Sequence, residues 1–124
     1  MKKILVVDNN ESILEVMETI LTQNGFQVMI AYSYKTILPI IYYDKPDVII
    51  LDIMLSNEDG RLICQQLKES HQTKDICIIL FSASSNKLKD FKHFGADGFL
   101  EKPFDLQDLI KVIKSCEKLK VKSN

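Results

Sequence analysis

Hydrophobic residues in this chain come in short runs separated by longer mixed segments. The apolar runs Ile4 to Val7, Val28 to Ala31, Val48 to Ile53, Ile76 to Phe81 and Gly98 to Leu100 predict strands, and the longest of them are rich in Ile and Val. Between them the spacing turns helical. Ile13, Leu14, Met17, Ile20 and Leu21 mark one amphipathic helix, Leu62, Ile63 and Leu67 another, and Leu106, Leu109, Ile110, Ile113 and Cys116 a terminal one with Asp105 as its N-cap. Gly25 is placed to stop the first helix, and Lys45-Pro46-Asp47 punctuates the approach to the third strand. Pro39 inside the segment after the second strand should kink or shorten the helix there. Asn86 to Phe94 reads as a polar helix with a thin stripe of Leu88, Phe91 and Phe94.

Strands that are apolar at nearly every position are buried on both faces, which requires a parallel sheet covered by helices on either side. The pattern therefore predicts an α/β doubly wound fold. In such sheets ligands bind outside the carboxyl ends of the strands. The residues found there are Asp8 and Asn9 after the first strand, Asp52 at the end of the third, Ser82 after the fourth and Lys102 after the fifth.

Composition narrows the options further. With 124 residues the chain fits one domain, and we take residues 1–124 as a single unit with a core of about 2–116 and a frayed Lys-rich tail, KLKVKSN. A formal net charge of -1 gives no reason to expect generic nucleic-acid or membrane binding. The apolar run behind the basic start is too short for a secretory signal, and no run reaches membrane-spanning length. Cys64, Cys77 and Cys116 lack metal-ligand or CxxC spacing, so they read as buried thiols and point to a reducing compartment. His71 and His93 lie in polar contexts and read as solvated, and the four tyrosines around Tyr32 to Tyr43 read as cover for a sheet edge.

The strand-end residues share a chemical logic. Two carboxylates with few other ligands suit Mg²⁺, which prefers hard oxygens and keeps several waters. A lysine and a hydroxyl beside them could hold the oxygens of a phosphoryl group, with Asp52 itself as nucleophile. Taken singly, Asp8 could be a helix cap, Ser82 an ordinary strand-end hydroxyl and Lys102-Pro103 a surface turn. Asp52, set among apolar strand residues, is too costly to bury without a partner or a function.

The stretches ILVVDNN, PDVIILDIMLSNEDG, ILFSAS and GADGFLEKPF, in that order and spacing, resemble the response-regulator receiver domain of two-component signalling over about residues 2–116. The resemblance implies a flavodoxin-like (βα)5 fold with strand order 2-1-3-4-5. It implies phosphorylation of Asp52 by a histidine kinase or phosphotransfer protein, with Lys102, Ser82 and Ala83 binding the phosphoryl group. Mg²⁺ would be held by Asp8, Asn9, Asp52 and the backbone carbonyl of Met54. Ser82 and Phe99 would form the switch, read by a downstream protein on the face of helix four, strand five and helix five. Met54 and Ser84 would set phosphoryl lifetime, and Lys102-Pro103 would be a cis peptide. A cytoplasmic regulator rather than an enzyme follows, with no direct nucleic-acid or membrane contact, although it could catalyse its own phosphorylation and dephosphorylation.

Departures from the family pattern are informative. Asn9 stands where the family usually has a second, metal-binding acid, which should weaken Mg²⁺ binding, and Leu55-Ser56 replaces the usual Leu-Pro, which should loosen the following loop. Asn9 also leaves open a pseudo-receiver, an interaction module that is never phosphorylated. A flavin carrier is disfavoured because DNNES is no phosphate-cradling loop, and an aspartyl phosphatase because Met54 stands where a second acid would be needed. No output domain follows Cys116, so the chain reads as a stand-alone receiver or as one excised from a longer protein.

Overall fold

The computed structural model describes residues 2–55 and 57–122, the side chains of 117–122 excepted. Five strands, β1 (Lys3–Val7), β2 (Gln27–Ala31), β3 (Val48–Asp52), β4 (Cys77–Ser82) and β5 (Gly98–Glu101), form one sheet in the order β2-β1-β3-β4-β5. Every pairing in it is parallel, as expected for strands apolar at each position. The helices are α1 (Glu11–Gln23), α2 (Ile37–Asp44), α3 (Gly60–Glu69), α4 (Ser85–Leu88) and α5 (Leu106–Lys122). A short antiparallel ribbon, Met54–Leu55 with Glu58–Asp59, follows β3. Helix α5 continues through Lys122 into the segment expected to fray, and residues 123–124 lie outside the described part, as does Ser56, where a looser loop is expected.

The two-residue strand period sorts the core into two layers. Ile4, Val6, Val48, Ile50, Ile79 and Phe81 pack under α1 and α5, against Leu14, Met17, Leu21, Leu109 and Ile113. Their neighbours Leu5, Val7, Ile49, Leu51, Ile78 and Leu80 pack on the opposite face, against Ile37, Ile41, Cys64, Leu67 and Leu88. Each such side chain taken from water contributes roughly 1.5–3 kcal/mol. Both faces of β3 are covered, so all its residues are buried, Asp52 included.

Local signals explain most element ends. Asn10 caps α1, its Oδ1 accepting from the N–H of Ile13 at 3.2 Å, and Gly25 leaves the helix at φ 89°, a conformation that favours glycine. Asp105 caps α5 by accepting from the N–H of Asp108 at 2.8 Å. Asp59 caps α3 and is clamped by Arg61, whose guanidinium holds the carboxyl below its ordinary range. Pro39 falls in the first turn of α2, where its missing N–H has no intrahelical acceptor to lose, so the helix is short rather than kinked.

Three sequence expectations need correction. The helix expected over Asn86 to Phe94 is instead the single turn α4 followed by a 3₁₀ segment, Phe91–Phe94. Leu88, Phe91 and Phe94 are spaced by three, which suits three residues per turn as well as 3.6. Cys77 and Cys116, expected as free thiols, are joined in a disulfide with a Cα separation of 5.9 Å. The start of β4 and the third turn of α5 meet in the layer under α1 and α5, an adjacency that a separation of 39 residues does not advertise. The case for a reducing compartment loses its basis, and only Cys64 is a free, buried thiol. Tyr32, Tyr42 and Tyr43 are more than half exposed rather than a packed edge cover, and Tyr34 turns inward. Among the described residues no helix is long and apolar enough to cross a membrane.

Candidate functional site

Strand register brings the two acids together. Val7 of β1 pairs with Leu51 of β3, so the next residues, Asp8 and Asp52, leave the sheet side by side with their side chains on the same face. On the other side Asp52 pairs with Phe81, which puts Ser82 one residue further along β4. Ser82 in turn pairs with Glu101, and the N–H of Lys102 donates to the Ser82 carbonyl at 2.9 Å. Four residues from four strands thus converge at one sheet edge, as their positions at strand ends suggested.

Lys102 closes the arrangement. Its Nζ donates to Asp8 Oδ2 at 2.9 Å and to Asp52 Oδ2 at 3.3 Å, and lies 4.4 Å from the centre of the Phe81 ring. Asp8 is 0% and Asp52 4% exposed, so both carboxylates are almost withdrawn from water and depend on these partners. Their remaining oxygens are also engaged. Asp8 Oδ1 accepts from the N–H of Asn10 at 2.9 Å, and Asp52 Oδ1 from the N–H of Met54 at 3.0 Å. The helix-cap reading of Asp8 therefore does not hold, because Asn10 fills that role and Asp8 faces the lysine. Burial pushes the Asp52 carboxyl above its ordinary range, the neighbouring Asp8 adds to the rise, and the Met54 N–H and Lys102 oppose it.

The surrounding residues line an open pocket of about 410 Å³ formed by Asp8, Asn9, Asn10, Asp52, Met54, Ser82, Ala83, Ser84 and Lys102. Ser82 is buried, its Oγ accepting from the N–H of Ser84 at 3.0 Å, while Ala83 is exposed. Asn9 is exposed at the rim, and the half-exposed Met54 has its sulfur 3.2 Å from Lys87 Nζ. Phe99 lies outside the pocket, 46% exposed on β5, with its ring tilted at 53° against that of Phe91 and the centroids 5.0 Å apart. The Lys102-Pro103 peptide is cis. A larger concavity of about 880 Å³ sits at the amino ends of β3 and β4, lined by Leu38, Tyr42, Tyr43 and Pro46, and holds none of this chemistry.

A divalent cation fits this donor set in kind. Two buried carboxylates converge, with the Asn9 amide beside them, and hard oxygens with space for water suit Mg²⁺. Among the described residues no group of three or more His, Cys, Asp or Glu side chains able to hold a metal is present, so the carboxylate count stays at two.

Sequence reasoning missed two residues. The Tyr34 hydroxyl donates to the backbone carbonyl of Asp52 at 2.5 Å and lies 3.4 Å from that of Ile53. Burial, with the nearby Asp52 charge, pushes this phenol well above its ordinary range, so it stays an O–H donor. Gly60 allows the approach: a Cβ there would collide with the Asp52 carbonyl oxygen and lie 2.7 Å from the Tyr34 hydroxyl and 2.8 Å from Ile53 Cα. The EDG triplet carried a hint of Gly60, whereas nothing in the sequence distinguished Tyr34 from its three neighbours.

A doubly wound sheet with an acid pair, a hydroxyl and a lysine converging at its carboxyl edge defines a class of α/β protein whose polar site lies at the strand ends. More particularly, residues 4–114 match the response regulator receiver domain, and the chain belongs to that family. Solved structures agree. A response regulator from Chloroflexus aurantiacus J-10-fl is 28% identical over 93% of this chain and 96% of its own, with a TM-score of 0.86. The chemotaxis protein CheY4 of Vibrio cholerae is 28% identical over 92% of this chain and 97% of its own, with a TM-score of 0.83. NtrX from Brucella abortus, crystallised with ADP, is 29% identical with a TM-score of 0.88, and the match covers 99% of this chain but 29% of that longer one. Receiver domains are regulatory phosphoacceptors that work with histidine kinases and downstream effectors, and they generally bind Mg²⁺.

Proposed function

We propose that this protein accepts a phosphoryl group on Asp52 and signals its presence through a neighbouring surface. The observation that carries this is the pair of buried carboxylates, Asp8 and Asp52, bridged by the one ammonium of Lys102 at the carboxyl edge of the sheet. With a phosphohistidine donor, the P–N bond breaks as a bond forms from phosphorus to a carboxylate oxygen of Asp52, and the released imidazole nitrogen takes a proton from solvent. An acyl phosphate would lose its carboxylate in the same way. Lys102 pairs with the transferred group and offsets its charge, while the Ser82 hydroxyl and the Ala83 N–H supply further donors. Mg²⁺, when bound, would shield the phosphoryl oxygens, and Asp8, Asp52, Asn9 and the Met54 carbonyl are the groups to hold it.

Ser82 turning toward the phosphoryl group leaves space beside β5. Phe99, now outward against Phe91, would move into it. The face of α4, β5 and α5 would then present a different surface to a downstream protein, a two-state element biased by a local charge. Met54 and Ser84, at the pocket rim, carry no charge to orient an attacking water and favour a long-lived phosphoryl group. The retained Asp52, Ser82 and Lys102 count against a module that is never phosphorylated.

Intact-mass measurement after incubation with acetyl phosphate and Mg²⁺ tests this reading. The wild type should gain one phosphoryl group and Asp52→Asn none. A gain that persists in the variant would refute Asp52 as acceptor, and no gain in the wild type would favour the interaction module.

A further inference from the structure

Tyr34 lies on the 3₁₀ turn between β2 and α2, and its ring packs against the core layer of α2 and α3. Its hydroxyl is spent on the backbone of the acceptor rather than on solvent. The β1–β3 ladder ends at Leu51, so the Asp52 carbonyl lies past the last residue pair on that side, where the Tyr34 O–H donates to it at 2.5 Å. The two following residues are held as well. The Ile53 N–H donates to the Phe81 carbonyl at 2.9 Å, the Ile53 carbonyl accepts from the Gly60 N–H at 2.6 Å, and the Met54 N–H donates to Asp52 Oδ1 at 3.0 Å. The phenol therefore completes a set of bonds on the three residues that aim the Asp52 carboxylate.

We propose that Tyr34 is a positioning residue for phosphoryl transfer, its hydroxyl fixing the peptide from which the Asp52 carboxylate is presented. The inference rests on the phosphoacceptor reading above. Transfer needs the attacking oxygen in line with the bond that breaks, and a misplacement of about 1 Å can cost on the order of a hundredfold in rate. A peptide free to rotate at the end of β3 would move both carboxylate oxygens relative to Lys102 and Asp8. Tyr34 reaches that peptide from a different strand connection, and Gly60 leaves the room for it to do so.

Tyr34→Phe keeps the ring and deletes only the donor, and Tyr42→Phe serves as control because Tyr42 is 72% exposed. Phosphorylation by acetyl phosphate with Mg²⁺ is followed by intact mass over a range of donor concentrations, with thermal melts of each protein in the same buffer. Tyr34→Phe should lower the limiting rate at saturating donor roughly tenfold while leaving the half-saturating donor concentration unchanged. Tyr42→Phe should match the wild type. Incorporating p-aminophenylalanine at position 34, which restores a donor at the ring's end, should recover most of the rate. Equal limiting rates for wild type and Tyr34→Phe overturn the proposal, as does a loss that merely tracks the unfolded fraction. If the wild type itself takes no phosphoryl group, the phosphoacceptor reading fails and this inference with it.

Discussion

Replacing Asp52 by Asn should make the protein more stable near neutral pH, although it removes the proposed acceptor. Lys102 Nζ lies 3.3 Å from Asp52 Oδ2 and 2.9 Å from Asp8 Oδ2, so the two Oδ2 atoms are at most about 6 Å apart. At an effective dielectric of about 20, the lysine attracts the ionised Asp52 by about 5 kcal/mol and Asp8 repels it by about 3 kcal/mol. The surplus of about 2 kcal/mol is smaller than the several kcal/mol needed to withdraw a carboxylate from water. Desolvation therefore wins, and the Asp52 pKa lies above its ordinary value. A group whose folded-state pKa is raised binds its proton more readily in the native state, so its stabilising effect is full below the unfolded pKa and is lost as pH rises through the folded one. The neutral amide avoids that loss and keeps an oxygen to accept from the Met54 N–H. We expect Asp52→Asn to be about 1–2 kcal/mol more stable at pH 7, a Tm higher by roughly 3–8 °C. Calorimetry with a chelator present, at several values between about pH 4 and pH 8, should show the gap narrowing toward acid. A wild type at least as stable as the variant at pH 7, or a gap indifferent to pH, would refute the reasoning.

Further expectations concern the surroundings of the site. Asn9→Asp raises the carboxylate count beside the pocket from two to three and should tighten Mg²⁺ binding at least about tenfold, or roughly 1.4 kcal/mol, followed by amide chemical shifts. Equal affinities would mean that Asn9 is no ligand. Gly60→Ala sets a methyl against the Asp52 carbonyl and the Tyr34 hydroxyl and should cost about 1–3 kcal/mol in urea denaturation; a change within experimental error would contradict the close packing. Reducing the Cys77–Cys116 disulfide frees a chain closure of 39 residues and should lower stability by about 2–4 kcal/mol, read as a fall in denaturation midpoint. Cys64, whose thiol burial pushes up to about 12, should resist thiol reagents at pH 8 until the chain unfolds.

Much of this molecule was legible in one dimension. Strands apolar at every position can only be central strands of a covered parallel sheet, so Ile4 to Val7, Val48 to Leu51 and Ile78 to Phe81 announced the architecture by themselves. The place of the candidate site was visible too, because Asp8, Asp52 and Ser82 each break an apolar run just where a strand ends, Lys102 follows the last strand, and parallel strands send all such ends to one edge. What the sequence could not determine is contact between side chains whose partners lie far along the chain. Lys102 meets Asp8 across 94 positions and Asp52 across 50, by way of a register that no local pattern encodes. The pairing of Cys77 with Cys116 depends on how α5 lies across the sheet, and a spacing rule reads only the chain between them. Tyr34 differs from Tyr32, Tyr42 and Tyr43 only in the direction its 3₁₀ turn gives it, toward a gap that Gly60 keeps open. Local periodicity is fixed by backbone geometry and the exclusion of apolar surface from water, both of which act on neighbours in sequence. Which distant groups meet, and how far burial then shifts their protons, depends on the three-dimensional packing of the whole domain.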